Sequence, residues 1–147
     1  MKANELRIGN YIANGVEGIF KSDIMSIGKV LEIGNEGRKF EQIYCECEES
    51  FEWFFKDNYC GIPITEEWLL KFGFEQYGQK NEANPMVLNS RDFDFAIYPP
   101  SDFYKKQYWH TGIRESINSH KTLNIKYIHQ LQNLYFALTG EELIIKQ

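Results

Sequence analysis

Apolar and polar residues alternate with a period of two along much of the first sixty positions, which is the pattern of strands that bury one face. The clearest alternation follows Phe40 and predicts a strand whose inward residues are Ile43, Cys45 and Cys47. The next run predicts a strand whose inward residues are Phe51, Trp53 and Phe55, opposite Glu52 and Phe54. With two earlier apolar runs, at 6–12 and 27–33, four short strands predict a small β-barrel or a strongly curled sheet.

A short helix is predicted over residues 66–72. Thr65 precedes it as an N-cap, and Glu66 and Glu67 place negative charge in the first turn, where the helix dipole favours it. Gly73 follows as the left-handed residue that ends many helices. Both ends of this helix are therefore marked in the sequence.

The last predicted element is an amphipathic helix at 127–138, ended by Gly140. One side of its helical wheel is apolar and consists of Ile128, Leu131, Leu134, Tyr135 and Leu138. The opposite side carries no formal charge and consists of His129, Gln132, Asn133 and Phe136. Because a solvated helix face normally carries Lys or Glu, we expect this uncharged face to be covered by the barrel, by a neighbouring chain or by a ligand.

Between the helices, residues 92–98 alternate as a strand, and we expect 104–110 to pair with it as a wide hairpin. Polar residues at 115–121 predict a loop. The predicted fold class is α+β. It consists of an N-terminal small β-barrel, residues 1–60, and an α+β region, residues 61–147, whose antiparallel sheet carries one short and one longer helix. The two parts form separate domains or one compact unit.

Composition narrows the class of protein. The chain has 147 residues, a net charge of −5 and 43% hydrophobic residues, which are ordinary values for a globular protein, whereas 16% aromatic residues is unusual. These values exclude a disordered chain and a disulfide scaffold. Charged residues replace the apolar run of a signal peptide, and no stretch approaches the ~20 apolar residues of a membrane span. We therefore expect a cytoplasmic protein with no membrane partner.

The cysteine and histidine residues are the candidates for a metal site or a catalytic site. Zinc could be bound by Cys45, Cys47 and Cys60 with His110 or His120. However, the predicted strand places Cys45 and Cys47 on one face, where cysteine packs as a small hydrophobe, so we expect no metal. No nucleophile or known catalytic motif accompanies any of the histidines, which are His110, His120 and His129. The sequence predicts no enzyme activity and no cofactor.

Charge is unevenly distributed along the chain. Residues 41–67 hold eight carboxylates and one lysine, whereas residues 104–127 hold five basic side chains and one glutamate. The basic stretch also contains aromatic residues, a composition suited to phosphate contact and base stacking. Its candidate nucleic-acid contacts are Lys105, Lys106, Arg114, Lys121 and Lys126. The acidic balance of the whole chain favours an ordinary solvated face, and association of acidic and basic patches between copies is a further interpretation.

Three blocks of sequence carry a resemblance. They are LRIGNYI at 6–12, GIPITEEWLLKFGF at 61–74 and KYIHQLQNLYFALTGEEL at 126–143, and they cover 39 of the 147 residues. Together they resemble a family of uncharacterised bacterial proteins found among prophage and mobile-element genes. The resemblance implies a genomic context and an architecture but no known activity. The first block is also similar to the opening of Src-homology-three-like and Tudor-like small barrels, many of which bind peptides or nucleic acids.

These observations lead to two hypotheses. The first is a non-enzymatic accessory or interaction protein that binds a protein partner or itself. Its expected interaction surface combines the uncharged helix face with aromatic residues and consists of His129, Gln132, Asn133, Phe136, Trp109, Tyr104 and Tyr108. The alternative is a nucleic-acid-binding protein that uses the basic aromatic segment at 104–126.

Overall fold

The computed structural model describes residues 5–15, 26–34, 42–55, 58–78, 84–89, 94–102, 107–116 and 119–146. Within these residues the fold is α+β, as predicted, with antiparallel strands and two α-helices. The chain divides into two compact units. The first contains Met1–Pro63 and Tyr127–Leu143, and the second contains Ile64–Lys126 and Ile144–Gln147. The long helix therefore belongs with the N-terminal strands, unlike the predicted division between residues 60 and 61.

The first unit is built on a five-stranded antiparallel sheet. Its strands are β1 (Tyr11–Asn14), β2 (Ile27–Gly34), β3 (Gln42–Glu46), β4 (Phe51–Phe55) and β5 (Tyr59–Cys60). Their order is β4-β3-β2-β1-β5, with β4 and β5 at the two edges. The described strands thus form an open sheet, and the closed barrel expected for residues 1–60 is not shown.

A small apolar core lies on one face of this sheet. It consists of Leu6, Ile12, Val30, Ile43, Cys45, Phe54 and Tyr59, with Ile33 and Cys47 partly buried against it. The inward positions predicted for β3 are therefore confirmed. The inward positions predicted for β4 are wrong, because Phe54 is 1% exposed while its neighbours Trp53 and Phe55 are 39% and 47% exposed. Ile43 pairs with Phe54 in the β3–β4 register, and paired residues share a face of the sheet.

Gly28 lies where β2 packs closely against the core. A Cβ at this position would lie 2.6 Å from the Cβ of Cys45 and 3.2 Å from Cζ of Phe54. Gly34, on the same strand, has more room, because its Cβ would contact the Gln42 carbonyl and the Trp53 ring at 3.7 Å. Close packing at Gly28 therefore depends on the missing side chain.

We expect Gly28→Ala to lower the free energy of unfolding by about 1–3 kcal/mol, because the added methyl group overpacks the core. Gly34→Ala is the matched control and should change it by less than about 0.5 kcal/mol. Urea denaturation followed by circular dichroism measures both. Equal losses in the two variants would contradict the proposed close packing.

The second unit begins with a capped helix, α1 (Glu66–Lys71). The Thr65 hydroxyl accepts a hydrogen bond from the Trp68 amide at 3.3 Å, and Gly73 adopts a positive φ of 85° just after the helix. The predicted N-cap and the predicted C-terminal glycine are both confirmed. Leu69 and Phe72 are buried.

Two further sheets complete the second unit. The strands β6 (Glu75–Gln76), β7 (Met86–Asn89) and β8 (Asp94–Ile97) form one of them, and β9 (Trp109–Ser116) and β10 (Ser119–Ile125) form the other. The strand predicted at 92–98 contains β8. Of its expected hairpin with 104–110, the described residues show a bridge between Tyr98 and His110, while β8 itself pairs with β7. The loop predicted at 115–121 is largely β-structure, since its residues extend β9 and β10.

The long helix, α2 (Ile128–Thr139), agrees with its prediction to within one residue at each end. Gly140 follows it with φ 75°. Its buried stripe is shifted from the predicted apolar face, because His129 and Gln132 are buried together with Ile128, Leu131 and Tyr135, whereas the predicted Leu138 is 50% exposed. Within the described part of the chain, neither α1 nor α2 is long and apolar enough to cross a membrane.

Candidate functional site

Gln132 shows what covers the uncharged face of α2. Its side-chain oxygen Oε1 accepts a hydrogen bond from the Tyr11 amide at 2.8 Å. Its side-chain nitrogen Nε2 donates to the carbonyls of Gly9 and Leu143, each at 3.1 Å. Gln132 is 1% exposed, so the chain itself covers this part of the helix. The groups that cover it lie in the segment around Gly9 and Tyr11 and at Leu143, whereas the closed barrel expected to cover it is not shown.

Asn133 and Phe136, on the outer part of the same face, also contact other residues of the first unit. The side-chain nitrogen of Asn133 donates to the Glu5 carbonyl at 2.8 Å. The guanidinium carbon of Arg7 lies 3.5 Å from the centre of the Phe136 ring, and the Nη2 atom of Arg7 lies 2.8 Å from a carboxylate oxygen of Glu142. Asn133 and Phe136 are nevertheless partly exposed, so these contacts cover the uncharged face only in part. His129 and Gln132 thus have an internal packing role, and an interaction surface at Asn133 and Phe136 stays a prediction.

His129 is buried in the first unit. It is 0% exposed, and its ring stacks on Tyr127 with 5.6 Å between ring centres. Neither ring nitrogen has a hydrogen-bond partner in the part of the chain that the structure describes. Burial lowers the pKa of His129 from 6.5 to about 4, because the charged imidazolium loses its hydration. The ring is therefore neutral near pH 7 and faces the protein interior.

Tyr108 and Trp109, two of the aromatic residues predicted to act together with the helix face, lie in the second unit. The indole nitrogen of Trp109 donates to the Ile64 carbonyl at 3.1 Å, so this ring helps to hold the second unit together. Tyr108 is exposed, and the Lys126 ammonium lies 4.4 Å from the centre of its ring. Tyr104 lies outside the described residues. Among the candidate nucleic-acid contacts, Lys126 therefore has a described side-chain contact.

The side chains of the other candidate nucleic-acid contacts lie outside the described part of the chain. Lys105 and Lys106 lie outside the described residues. Arg114 lies on β9 and Lys121 on β10, in positions whose side chains are outside the described part.

The cysteines occupy packing positions. Cys45 and Cys60 are buried, and Cys47 is partly buried. Burial raises the pKa of Cys45 to about 12, with the neighbouring Cys47 and Glu52 adding to the effect, so its thiol stays protonated. In the second unit, His110 is buried and stacks on Tyr98. No group of three metal-ligating side chains occurs among the described residues.

A shallow cavity of about 340 Å³ lies on the β6–β7–β8 sheet of the second unit. Its described lining consists of Glu75, Gln76, Tyr77, Pro85, Val87, Ala96 and Tyr98. This lining contains one carboxylate and no histidine, cysteine or serine. The described lining therefore contains none of the three histidines, which are His110, His120 and His129.

A cluster of exposed aromatic residues lies on the outer face of β3 and β4. We call it the aromatic surface, and it consists of Tyr44, Phe51, Trp53 and Phe55. Phe51 is 60% exposed, and Trp53 and Phe55 are also exposed. Tyr44 lies between two of the other rings, 4.9 Å from Trp53 and 6.1 Å from Phe51 between ring centres. Tyr44 thus joins the Phe51 and Trp53 rings, and Phe55 follows at the next outward position of β4.

The turn between β3 and β4 explains why these rings face outward. The Cys47 amide donates to the Ser50 carbonyl at 2.8 Å, and the Ser50 hydroxyl donates to the Glu52 carboxylate at 2.9 Å. This turn sets the register in which Tyr44 lies opposite Trp53. A shift by one residue would exchange the two faces of β4.

Carboxylates surround the aromatic surface. Glu46 pairs with Phe51, and Glu32 pairs with Tyr44, so each lies next to a ring on the same face. Glu48 and Glu49 are exposed in the turn. The acidic segment is visible in the sequence, but its aromatic residues were predicted to lie in the core. The residue that could have indicated otherwise is Phe54, the one apolar residue of β4 on the opposite face of the strand.

The aromatic surface and its carboxylates are the candidate site, because they combine exposed apolar area with localised charge. His129 and Gln132 on the uncharged face of α2 are buried, and the described cysteines pack in the protein. No protein-family model, curated protein or solved structure matches the chain.

Proposed function

We propose that the protein is a non-enzymatic interaction protein and that the aromatic surface binds a protein partner. The observation that carries the proposal is the outward phase of β4, which exposes Phe51, Trp53 and Phe55 to water. Full burial of a large apolar side chain is worth about 1.5–3 kcal/mol, so a partner that covers these rings gains binding energy. Trp and Tyr are also enriched among the residues that dominate protein interfaces.

The position of the surface supports the same function. Strand β4 is at the edge of its sheet and pairs with β3 alone among the described strands. Edge strands are accessible to other chains, and natural proteins usually protect them. Here the edge carries aromatic rings, which favours a role in contact with another molecule.

Two features support a Src-homology-three-like small barrel as the fold of the first unit. Strand β5 returns to pair with β1, and β2 has a register shift between Val30 and Glu32, an irregularity that curls a sheet. The resemblance of the three sequence blocks supports an accessory role in a prophage or mobile element and a cytoplasmic location.

The proposal predicts that a Phe51→Ser/Trp53→Ser variant loses the partner that the wild-type chain captures from a lysate of its native host. Tyr77→Ser is the matched control, because Tyr77 is 69% exposed but lies in the second unit. It should retain the partner. Affinity capture followed by mass spectrometry measures this, with circular dichroism to verify folding.

Capture of the same proteins by wild type, by the Phe51→Ser/Trp53→Ser variant and by the Tyr77→Ser control would contradict the proposal. If the partner is a second copy, light scattering should show a larger mass for wild type than for the Phe51→Ser/Trp53→Ser variant.

A second candidate function is single-stranded nucleic-acid binding through residues 104–126. The observation that favours it is the Lys126 ammonium over the exposed Tyr108 ring, because a cation beside an aromatic ring suits a phosphate and a base. Its test is fluorescence anisotropy with a labelled oligothymidylate at low salt. Salt-sensitive binding that Lys126→Ala weakens would support it, and no binding would reject it.

A further inference from the structure

We propose that the aromatic surface binds arginine side chains of a basic, extended segment in the partner. This inference rests on the proposed function and specifies the chemistry of the partner. Among the described residues of β2, β3, β4 and the β3–β4 turn, there are five carboxylates and one cation, Lys29. The carboxylates are Glu32, Glu46, Glu48, Glu49 and Glu52, of which Glu52 pairs with Cys45 on the opposite face of β4. Charge complementarity therefore favours a basic partner.

The carboxylates lie where they can act together with the rings. Glu46 is exposed and cross-strand from Phe51, and Glu32 is exposed and cross-strand from Tyr44. Directly opposed residues have Cβ atoms about 4.5–5.5 Å apart, so a cation over either ring is within reach of a carboxylate. Lys29 pairs with Glu46 and offsets part of its charge. Glu32 and the two turn glutamates provide the remaining negative charge.

Arginine matches this combination of groups better than lysine does. Its planar guanidinium stacks on an aromatic ring and still donates hydrogen bonds in its plane to a carboxylate. The chain already contains such an arrangement, in which Arg7 lies over the Phe136 ring and bonds Glu142. The aromatic surface offers the same two groups, a ring and a carboxylate, on its exposed face.

The spacing of the rings indicates an extended partner. Phe51, Trp53 and Phe55 occupy alternate positions of β4, which places successive side chains about 7 Å apart. An extended peptide presents alternate side chains at the same spacing. A segment with arginine at every second position would therefore place one guanidinium near each ring. The carboxylates also disfavour nucleic acid on this face, because they repel phosphate.

The test measures the binding of fluorescent peptides to the full chain by anisotropy. The main peptide alternates arginine with serine, and its control has glutamate in place of each arginine. We expect the arginine peptide to bind in a salt-sensitive manner and the glutamate peptide not to bind. A peptide with the same composition but adjacent arginines should bind several-fold more weakly.

Variants locate the binding site. Glu32→Gln/Glu46→Gln should weaken arginine-peptide binding about tenfold, because both cation–carboxylate contacts are lost. Phe51→Ser/Trp53→Ser should weaken it at least as much. Glu75→Gln, which removes an exposed carboxylate of the second unit, should have no effect.

Equal binding by wild type and the Glu32→Gln/Glu46→Gln variant would overturn the proposal, as would equal binding of the adjacent-arginine peptide. If the arginine peptide does not bind while Phe51→Ser/Trp53→Ser still abolishes partner capture, the arginine chemistry is wrong and the proposed function stands. If that variant retains the captured partner, the proposed function is wrong as well.

Discussion

Gln132→Leu is expected to lower the free energy of unfolding of the first unit by about 3–4 kcal/mol. Leucine is similar in size but cannot replace the three hydrogen bonds that the Gln132 side chain makes with the Tyr11 amide and the Gly9 and Leu143 carbonyls. Each buried backbone group left without a partner costs about 1–3 kcal/mol, and the added apolar burial offsets part of the total. Urea denaturation followed by circular dichroism measures the loss.

Gln130→Leu is the matched control for this variant, because it makes the same substitution on the same helix. Gln130 accepts one hydrogen bond of 3.3 Å from the Tyr127 amide, at the first turn of α2. We expect its replacement to cost about 1 kcal/mol. A Gln132→Leu loss no larger than that of the control would show that Gln132 does not hold α2 against the N-terminal region.

Acidification from above pH 6.5 to pH 4 is expected to lower the free energy of unfolding by about 3 kcal/mol through His129 alone. Its pKa falls from 6.5 to about 4 on folding, because burial penalises the charged ring. Each unit of pKa difference corresponds to about 1.4 kcal/mol. Between these two pH values the unfolded chain binds a proton that the folded chain does not, so stability rises with pH. The stability that depends on a neutral His129 is fully present above pH 6.5 and is lost as the pH falls towards 4.

His129→Phe tests this expectation, because phenylalanine keeps a flat ring beside Tyr127 but cannot take up a proton. Other groups titrate in the same range, so the relevant quantity is the difference in pH dependence between wild type and variant. Urea denaturation at a series of pH values should show a shallower decrease for the variant between pH 6.5 and 4. The same slope for both proteins would mean that His129 is not the titrating group.

The helices show how much of the fold can be predicted from local sequence. Thr65 and Gly73 mark the two ends of α1, and Gly140 marks the end of α2, because capping interactions act within a few residues. The inward phase of β3 was also predictable, since Ile43 and Cys45 alternate with more polar neighbours. Local chemistry and periodicity agree in these elements.

The candidate site was predictable only in part. The acidic and aromatic composition of residues 46–55 is visible in the sequence, but the direction in which the aromatic side chains point is not. In β4 both faces carry phenylalanine, so periodicity alone does not identify the buried one. The prediction favoured the more numerous set of rings, and the core uses Phe54 instead.

The sequence by itself determined the α+β class, the limits of both helices and the uncharged character of one face of α2. The tertiary structure decided that Gln132 binds the Tyr11 amide, 121 positions away, and that β4 turns three aromatic rings outward. The physical reason is that caps and periodicity depend on neighbouring residues, whereas strand register and burial depend on which distant segments pair. A partly covered helix face and an exposed aromatic surface are therefore properties of the folded chain.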